Sequence, residues 1–212
     1  MKIVKPSVEL IAKTVAIDPK LNTPNKLLEY MGRVCYKSEN KITSDSSEKF
    51  IENIIKNGHL SVIEHYSVTM KLIIDRGISH ELVRARIASY SQESTRWIRY
   101  KDGITVIEPS SLNEKTKNIW LQNCLEAEKT YLQLLDSGCK PQIARAVLPT
   151  CLKTEIITTF NLRQWLHVLK QRMPKNCHPD MRNIMFLCHD ILQTINPTIF
   201  NIPELWEIRN DK

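Results

Sequence analysis

The apolar residues of this chain keep changing their period, and the order of those changes restricts the fold. Residues 66–75 alternate and carry β-branched positions, as a half-buried strand does. Residues 154–160 repeat that pattern, and residues 3–15 alternate with breaks around Pro6, which predicts one or two strands there. Elsewhere the spacing is helical. Leu27, Leu28, Met31 and Val34 recur within residues 25–36, and Phe50, Ile51, Ile54 and Ile55 within residues 46–56, with Gly58 just past the end as a stop. Gly77 is expected to break the strand at 66–75 and a helix to follow over 78–87. A short strand is expected at Ile104 and Val106. "SLNE", residues 111–114, has capping-box spacing. It precedes an amphipathic helix carrying Trp120, Leu121, Cys124, Tyr131 and Leu135 that stops at Gly138. Further helices are expected over 142–147, 162–171 and 181–195. This order is no regular βα alternation, so the class expected is α+β, a mixed β-sheet flanked by helices. At 212 residues, 42% hydrophobic, a single domain over 1–212 is expected.

Only five glycines occur, at 32, 58, 77, 103 and 138. Neither a dinucleotide-binding GxGxxG nor a Walker loop can be built from them. Phosphates would have to be held by arginine, whose planar fork suits them. The net charge of +7 favours anionic partners. The basic residues are dispersed except for the arginines of residues 84–99, which predicts small anions in a pocket and no nucleic-acid stripe. No apolar window is long enough for a membrane span, and "MKIVKPSVELIAKT" has no signal-peptide core, so no membrane partner is expected. The six cysteines form no CxxC pair and are expected to be buried thiols of a reduced, cytoplasmic compartment. Cys177-His178 and Cys188-His189 resemble ligand pairs, but nothing requires them to converge, and no metal site is expected.

"RARIASYSQESTR", residues 84–96, is the most polar stretch between two hydrophobic ones, either a solvated loop or a pocket lining. On a helix over 78–87, Ile78, Leu82 and Val83 would face the core, while His80, Glu81 and Arg84 share the other face as a solvated Glu–Arg pair. Arg84 and Arg86 cannot point the same way on a helix. Either they bind different groups or the helix ends there. "ASYSQESTR" has the composition of a loop. Ser94 has no GxSxG elbow, and hydrogen bonding to a phosphate suits it better than nucleophilic attack. His59 and His65 flank "LSVIE". "IARAVLPT" surrounds Arg145 with apolar residues. In "NLRQWLHVLKQR", Asn161 and Arg163 stand at a helix start, where Asn161 can equally be an N-cap; His167 follows at i+4 and Arg172 stands at the end. These isolated polar residues within apolar helices point to one arginine-lined pocket.

The segment resembles the signature of the flavin-dependent thymidylate synthases (ThyX), which reads RHR, seven residues, then S. Arg84 and Arg86 match the two arginines, Ser94 the serine and Arg96 the arginine after it. "HLSVIEH" resembles the family's upstream H-x-S/T-x-x-E-H element, and "ARAVLP" and "NLRQWLHVLKQR" its two downstream elements. All four stand in order across residues 30–195.

The resemblance implies conversion of dUMP to dTMP with FAD as cofactor and with methylenetetrahydrofolate and NADPH as co-substrates. It also implies a homotetramer with active sites shared among subunits. Carried over position by position, Glu81, Leu82, Val83, Arg84, Gln92, Glu93, Ser94, Thr95, Arg96, Arg145 and Arg172 would surround dUMP, with Arg172 the catalytic candidate at the uracil N3/O4 edge. Ser61, Arg84, Ala85, Arg86, Gln92, Asn161, Leu162, Arg163 and His167 would hold FAD, with His59 and Arg76 as weaker candidates. One position departs: the signature's central histidine is Ala85 here. Either FAD is bound differently or the chain is a weakened relative. Two alternatives therefore stand beside the synthase: a paralogue with other one-carbon chemistry, such as hydroxymethylation, and a catalytically weak nucleotide-binding relative.

Overall fold

A computed structural model describes residues 1–210. The elements run β1 (Lys2–Val4), β2 (Ser7–Lys13), α1 (Pro24–Val34), α2 (Ser46–Lys56), β3 (Ser67–Asp75), α3 (Arg76–Leu82), β4 (Ser89–Gln92), β5 (Thr105–Ile107), α4 (Glu114–Asp136), α5 (Pro141–Ala144), β6 (Lys153–Asn161), α6 (Leu162–Arg172), α7 (Pro179–Ile195), α8 (Pro197–Phe200) and α9 (Pro203–Asn210). The class is mixed α+β. The strands form two sheets where one was expected: a parallel pair β1-β5 and a four-stranded sheet of order β2-β3-β6-β4. β3 and β6 alternate strictly, burying Val68, Met70, Leu72 and Ile74 on the first and Thr154, Ile156, Thr158 and Phe160 on the second.

The chain divides into two compact units. The first comprises Met1–Val8, Lys71–Arg86 and Tyr90–Ile157; the second comprises Glu9–Met70, Ile87–Ser89 and Thr158–Lys212, its last two residues lying outside those described. The core of the first gathers Ile104, Val106, Cys124, Tyr131, Leu135, Ala144 and Leu152. In the second, α6 buries Leu162, Trp165, Leu166 and Leu169, while α7 buries Ile184, Met185, Cys188 and Leu192. The Trp165 indole N–H donates to the Val68 carbonyl at 3.2 Å and its ring lies 4.4 Å from that of Phe160, so the largest buried side chain has its polar edge satisfied.

Several boundaries differ from those expected. Gly77 does not break β3: α3 begins at Arg76, because the Asp75 carboxylate caps it by accepting from Ile78 N at 2.8 Å. That helix ends at Leu82, well before residue 87, and leaves Val83 exposed where it was expected in the core. Residues 89–92 form an edge strand in place of loop. The N-cap of α4 is Asn113, boxed with Thr116, and not Ser111. The 142–147 helix is α5 followed by a 3-10 turn over Arg145–Val147. Of the six cysteines only Cys124 and Cys188 are buried; Cys35 is exposed. No helix of the described residues is long and apolar enough to cross a membrane.

Candidate functional site

The segment after α3 is a short turn closed by Tyr90. Its hydroxyl lies 2.9 Å from the Leu82 carbonyl and 2.7 Å from that of Ala85, while Ala85 N donates to Leu82 O at 3.0 Å. Arg84 and Arg86 on this turn are both exposed. They are free of the helical constraint because the helix has ended.

The chain then enters β4. Gln92 donates through Nε2 to Ser79 Oγ at 2.8 Å and to Thr154 Oγ1 at 3.2 Å. Glu93 is held on every side. Its N–H donates to the Glu155 carbonyl at 2.9 Å, its carbonyl accepts from Arg76 Nη2 at 2.6 Å, and its carboxylate accepts from Tyr100 Oη at 2.5 Å and Lys153 Nζ at 3.2 Å. Lys153 also pairs with Glu155, which pairs in turn with Lys71. Burial opposes the charge on Lys153, yet its bonds to Glu155 and Glu93 hold it above the ordinary lysine value. The bonds from Lys153 and Lys71 hold Glu155 below the usual carboxylate range. Burial, and then the bond to Glu93, push the Tyr100 phenol up. Gln92, Glu93, Lys71, Lys153 and Glu155 line a cavity of about 620 Å³. Beyond it, Arg145 Nη1 donates to Thr95 Oγ1 at 3.3 Å and Arg96 Nε to Gln142 Oε1 at 3.2 Å. The turn bearing Arg145 and the loop bearing Thr95 and Arg96 are thus brought together, as their separation by some fifty residues did not reveal.

Arg172 belongs to the second unit, at the last turn of α6. There Asn161 caps α6, its Oδ1 accepting from Gln164 N at 2.8 Å. Leu60, Ile87, Leu166, Asn161, Arg163 and His167 line a cavity of about 460 Å³. Arg163 donates to Glu64, a residue the sequence reading left without a role. Leu162 is buried, and its N–H donates to the Tyr66 carbonyl at 2.9 Å. His59 and Ser61 line a separate cavity of about 540 Å³ with Arg33, Tyr36, Lys41 and Phe50. Apolar walls with cationic or amide groups at their margins suit a planar ring system that carries phosphates. Arg76 and Gln92 lie in the first unit, with Arg84, Ala85 and Arg86.

The two Cys-His pairs are engaged otherwise. His178 Nδ1 accepts from Asp180 N at 3.2 Å, and His189 is buried against the Phe200 carbonyl. Among the described residues no three or more His, Cys, Asp or Glu side chains gather as a metal site would require.

The family described as thymidylate synthase complementing protein matches residues 10–198. The chain belongs to this family. The flavin-dependent thymidylate synthase of Geobacter sulfurreducens is 33% identical, covering 84% of this chain and 81% of its own. That of Mycobacteroides abscessus is 31% identical, over 94% and 90%. In fold the chain is similar to a UMP/dUMP methylase, PolB, from Streptomyces cacaoi, solved bound with 5-Br dUMP, at a TM-score of 0.82 and 19% identity over 95% of this chain and 96% of that one.

Proposed function

We propose that the chain catalyses the reductive methylation of dUMP to dTMP, with the carbon from methylenetetrahydrofolate and the reducing equivalents from NADPH through FAD. The observation that carries this reading is the convergence in one unit of Arg145 on Thr95 and of Arg96 on the helix preceding Arg145. Two guanidinium groups beside a hydroxyl-rich loop suit a nucleotide phosphate. Glu81, Arg84, Gln92 and Ser94 complete the proposed dUMP set. Glu93 belongs to the same set, its carboxylate held in place by Tyr100 and Lys153. Arg172 is proposed at the N3/O4 edge of the uracil, where a fixed positive charge stabilises the electron-rich ring that accepts carbon at C5. Bound FAD would supply the hydride. Asn161, Arg163 and His167 hold it in this reading, together with His59 and Ser61, and a phosphate would take the Arg163 guanidinium from Glu64. The site is completed by other subunits of a homotetramer.

Tritium release from C5-labelled dUMP tests the proposal. Release is expected only with FAD, the folate and NADPH all present, and analysis of the product separates a 5-methyl from a 5-hydroxymethyl group. An Arg145→Ala chain that turns over as fast as its parent would overturn the nucleotide assignment.

Ala85 favours a second reading, a catalytically weak relative. Its methyl offers neither ring nor donor. Loss of a buried hydrogen-bonded group costs about 1–3 kcal/mol, or roughly ten- to a hundredfold in affinity. Ala85→His is expected to bind FAD more tightly and to release tritium faster, with dUMP affinity little changed. Equal FAD titrations and equal rates in the two proteins would mean that another residue fills the histidine's place.

A further inference from the structure

Two thiols of the first unit, far apart in sequence, face each other. Cys124 lies in the middle of α4, and Cys151 stands just before β6; their sulphurs are 3.5 Å apart. The Trp120 indole N–H donates to Cys151 Sγ at 3.3 Å, which fixes where that sulphur sits. Cys124 is fully buried, and burial, then its contact with Cys151, pushes its thiol up to about 12. Cys151 is partly exposed. We propose that Cys124 and Cys151 are a dithiol that a hydroperoxide closes, in the folded chain, to an intramolecular disulfide.

The geometry asks for little movement. A disulfide needs sulphurs about 2.05 Å apart, so the two, at 3.5 Å, have to close by about 1.5 Å. The electrons balance. The partly exposed Cys151 sulphur, as thiolate, attacks the peroxide; the O–O bond breaks, an alcohol (water, for hydrogen peroxide) leaves, and a sulfenic acid remains. The Cys124 sulphur then gives up its proton and attacks that sulfenic sulphur, expelling hydroxide, which takes the proton and leaves as water. Two S–H bonds are lost and one peroxide is reduced.

The bridge would join α4 to a structurally loaded spot. The Cys151 carbonyl accepts from Ile107 N, and the carbonyls on either side of it, at Thr150 and Leu152, accept from Gly77 N and Arg76 N, the first residues of α3. The cross-link would therefore tie the long helix to the backbone from which α3 starts. None of this depends on the proposed activity.

The test uses the folded full chain as a Cys35→Ser variant, which removes the exposed thiol without touching the pair. It is treated with equimolar hydrogen peroxide, alkylated and mapped by mass spectrometry. The expected result is a peptide joining Cys124 to Cys151, a mass decrease of about 2 Da for the two hydrogens lost, and full reversal by dithiothreitol. Cys151→Ser is expected to abolish the link, while in Cys124→Ala the Cys151 sulphur should stop at sulfenic acid for want of a resolving thiol and go on to sulfinic acid only when a second equivalent of peroxide is added. Because the link is read on the unmodified pair, a poorly folding variant does not decide the outcome. Formation only in urea, a bridge from Cys151 to Cys139, or retention of both thiols after peroxide would each overturn the proposal.

Discussion

Tyr90 carries one hydroxyl proton and two carbonyl acceptors, at Leu82 and Ala85, so one side chain ties both ends of the turn on which Arg84 and Arg86 ride. Its partners are backbone, so their identity does not depend on which side chain replaces the missing histidine. Tyr90→Phe keeps the ring and removes the tie. A net hydrogen bond is worth about 1 kcal/mol, and dUMP affinity is therefore expected to fall about five- to tenfold while the circular dichroism spectrum and the melting temperature barely move. Calorimetric titration with dUMP makes the measurement, and an unchanged affinity would mean that the arginines are positioned without this bond. The role was hidden in plain sight: Tyr90 sits inside the quoted motif, but its significance depends on α3 ending at Leu82, and composition offers no sign of that. The same holds for Glu93. Its type and place suggest a ligand contact, and that Tyr100 and Lys153 also bond its carboxylate shows only in the fold.

At the scale of elements, periodicity was a faithful guide wherever one face is buried over several turns. α2 spans the 46–56 expected, and β3 and β6 lie within a residue of theirs at most ends, because strict alternation there follows the pleat. It failed where an element is too short to repeat. β4 has four residues, three of them hydroxyl-bearing, and owes its existence to its neighbour in the sheet. α8 and α9 were passed over although each opens with a proline at its first position, a start signal as good as any in the chain. The C-terminal helices matter for stability. His189 donates from Nε2 to the Phe200 carbonyl at 2.7 Å and accepts at Nδ1 from Arg209, which also pairs with Asp190. The ring is therefore neutral, and burial, reinforced by Arg209, holds its proton affinity below the ordinary value of 6.5. Below that ordinary value the unfolded chain takes up a proton that the folded one refuses, so stability must fall as pH drops through it. The urea midpoint is expected to decrease from about pH 7.5 to about pH 5.5, and His189→Gln to flatten the decrease. Parallel profiles for the two chains would show that His189 is not the group responsible.

For the molecule as a whole, the side chains left in water are informative. Ile17 is 102% exposed, Tyr36 81% and Trp97, directly after Arg96, 76%. Large apolar groups so exposed suit surfaces that another subunit covers. The proposed homotetramer is expected to appear in light scattering at four times the mass of the chain. Mixing an Arg145→Ala chain with an Arg84→Ala chain should restore part of the activity that each lacks, and failure to recover any under conditions that exchange subunits would count against shared sites. The motifs named the residues of such sites in order along the chain, but an order along one chain carries no sign of which copy supplies which group. The discontinuous make-up of the two units bears on how the molecule comes into being. Residues 1–8 belong with residues 90–157, and residues 9–70 wait for residues 158–210. On a ribosome that emits the chain from its N-terminus, the first unit cannot close until residue 157 has been made. The second cannot close until residues 158–210 have emerged, so until then α1 and α2, which pack on each other, lack the cover that α8 gives α2.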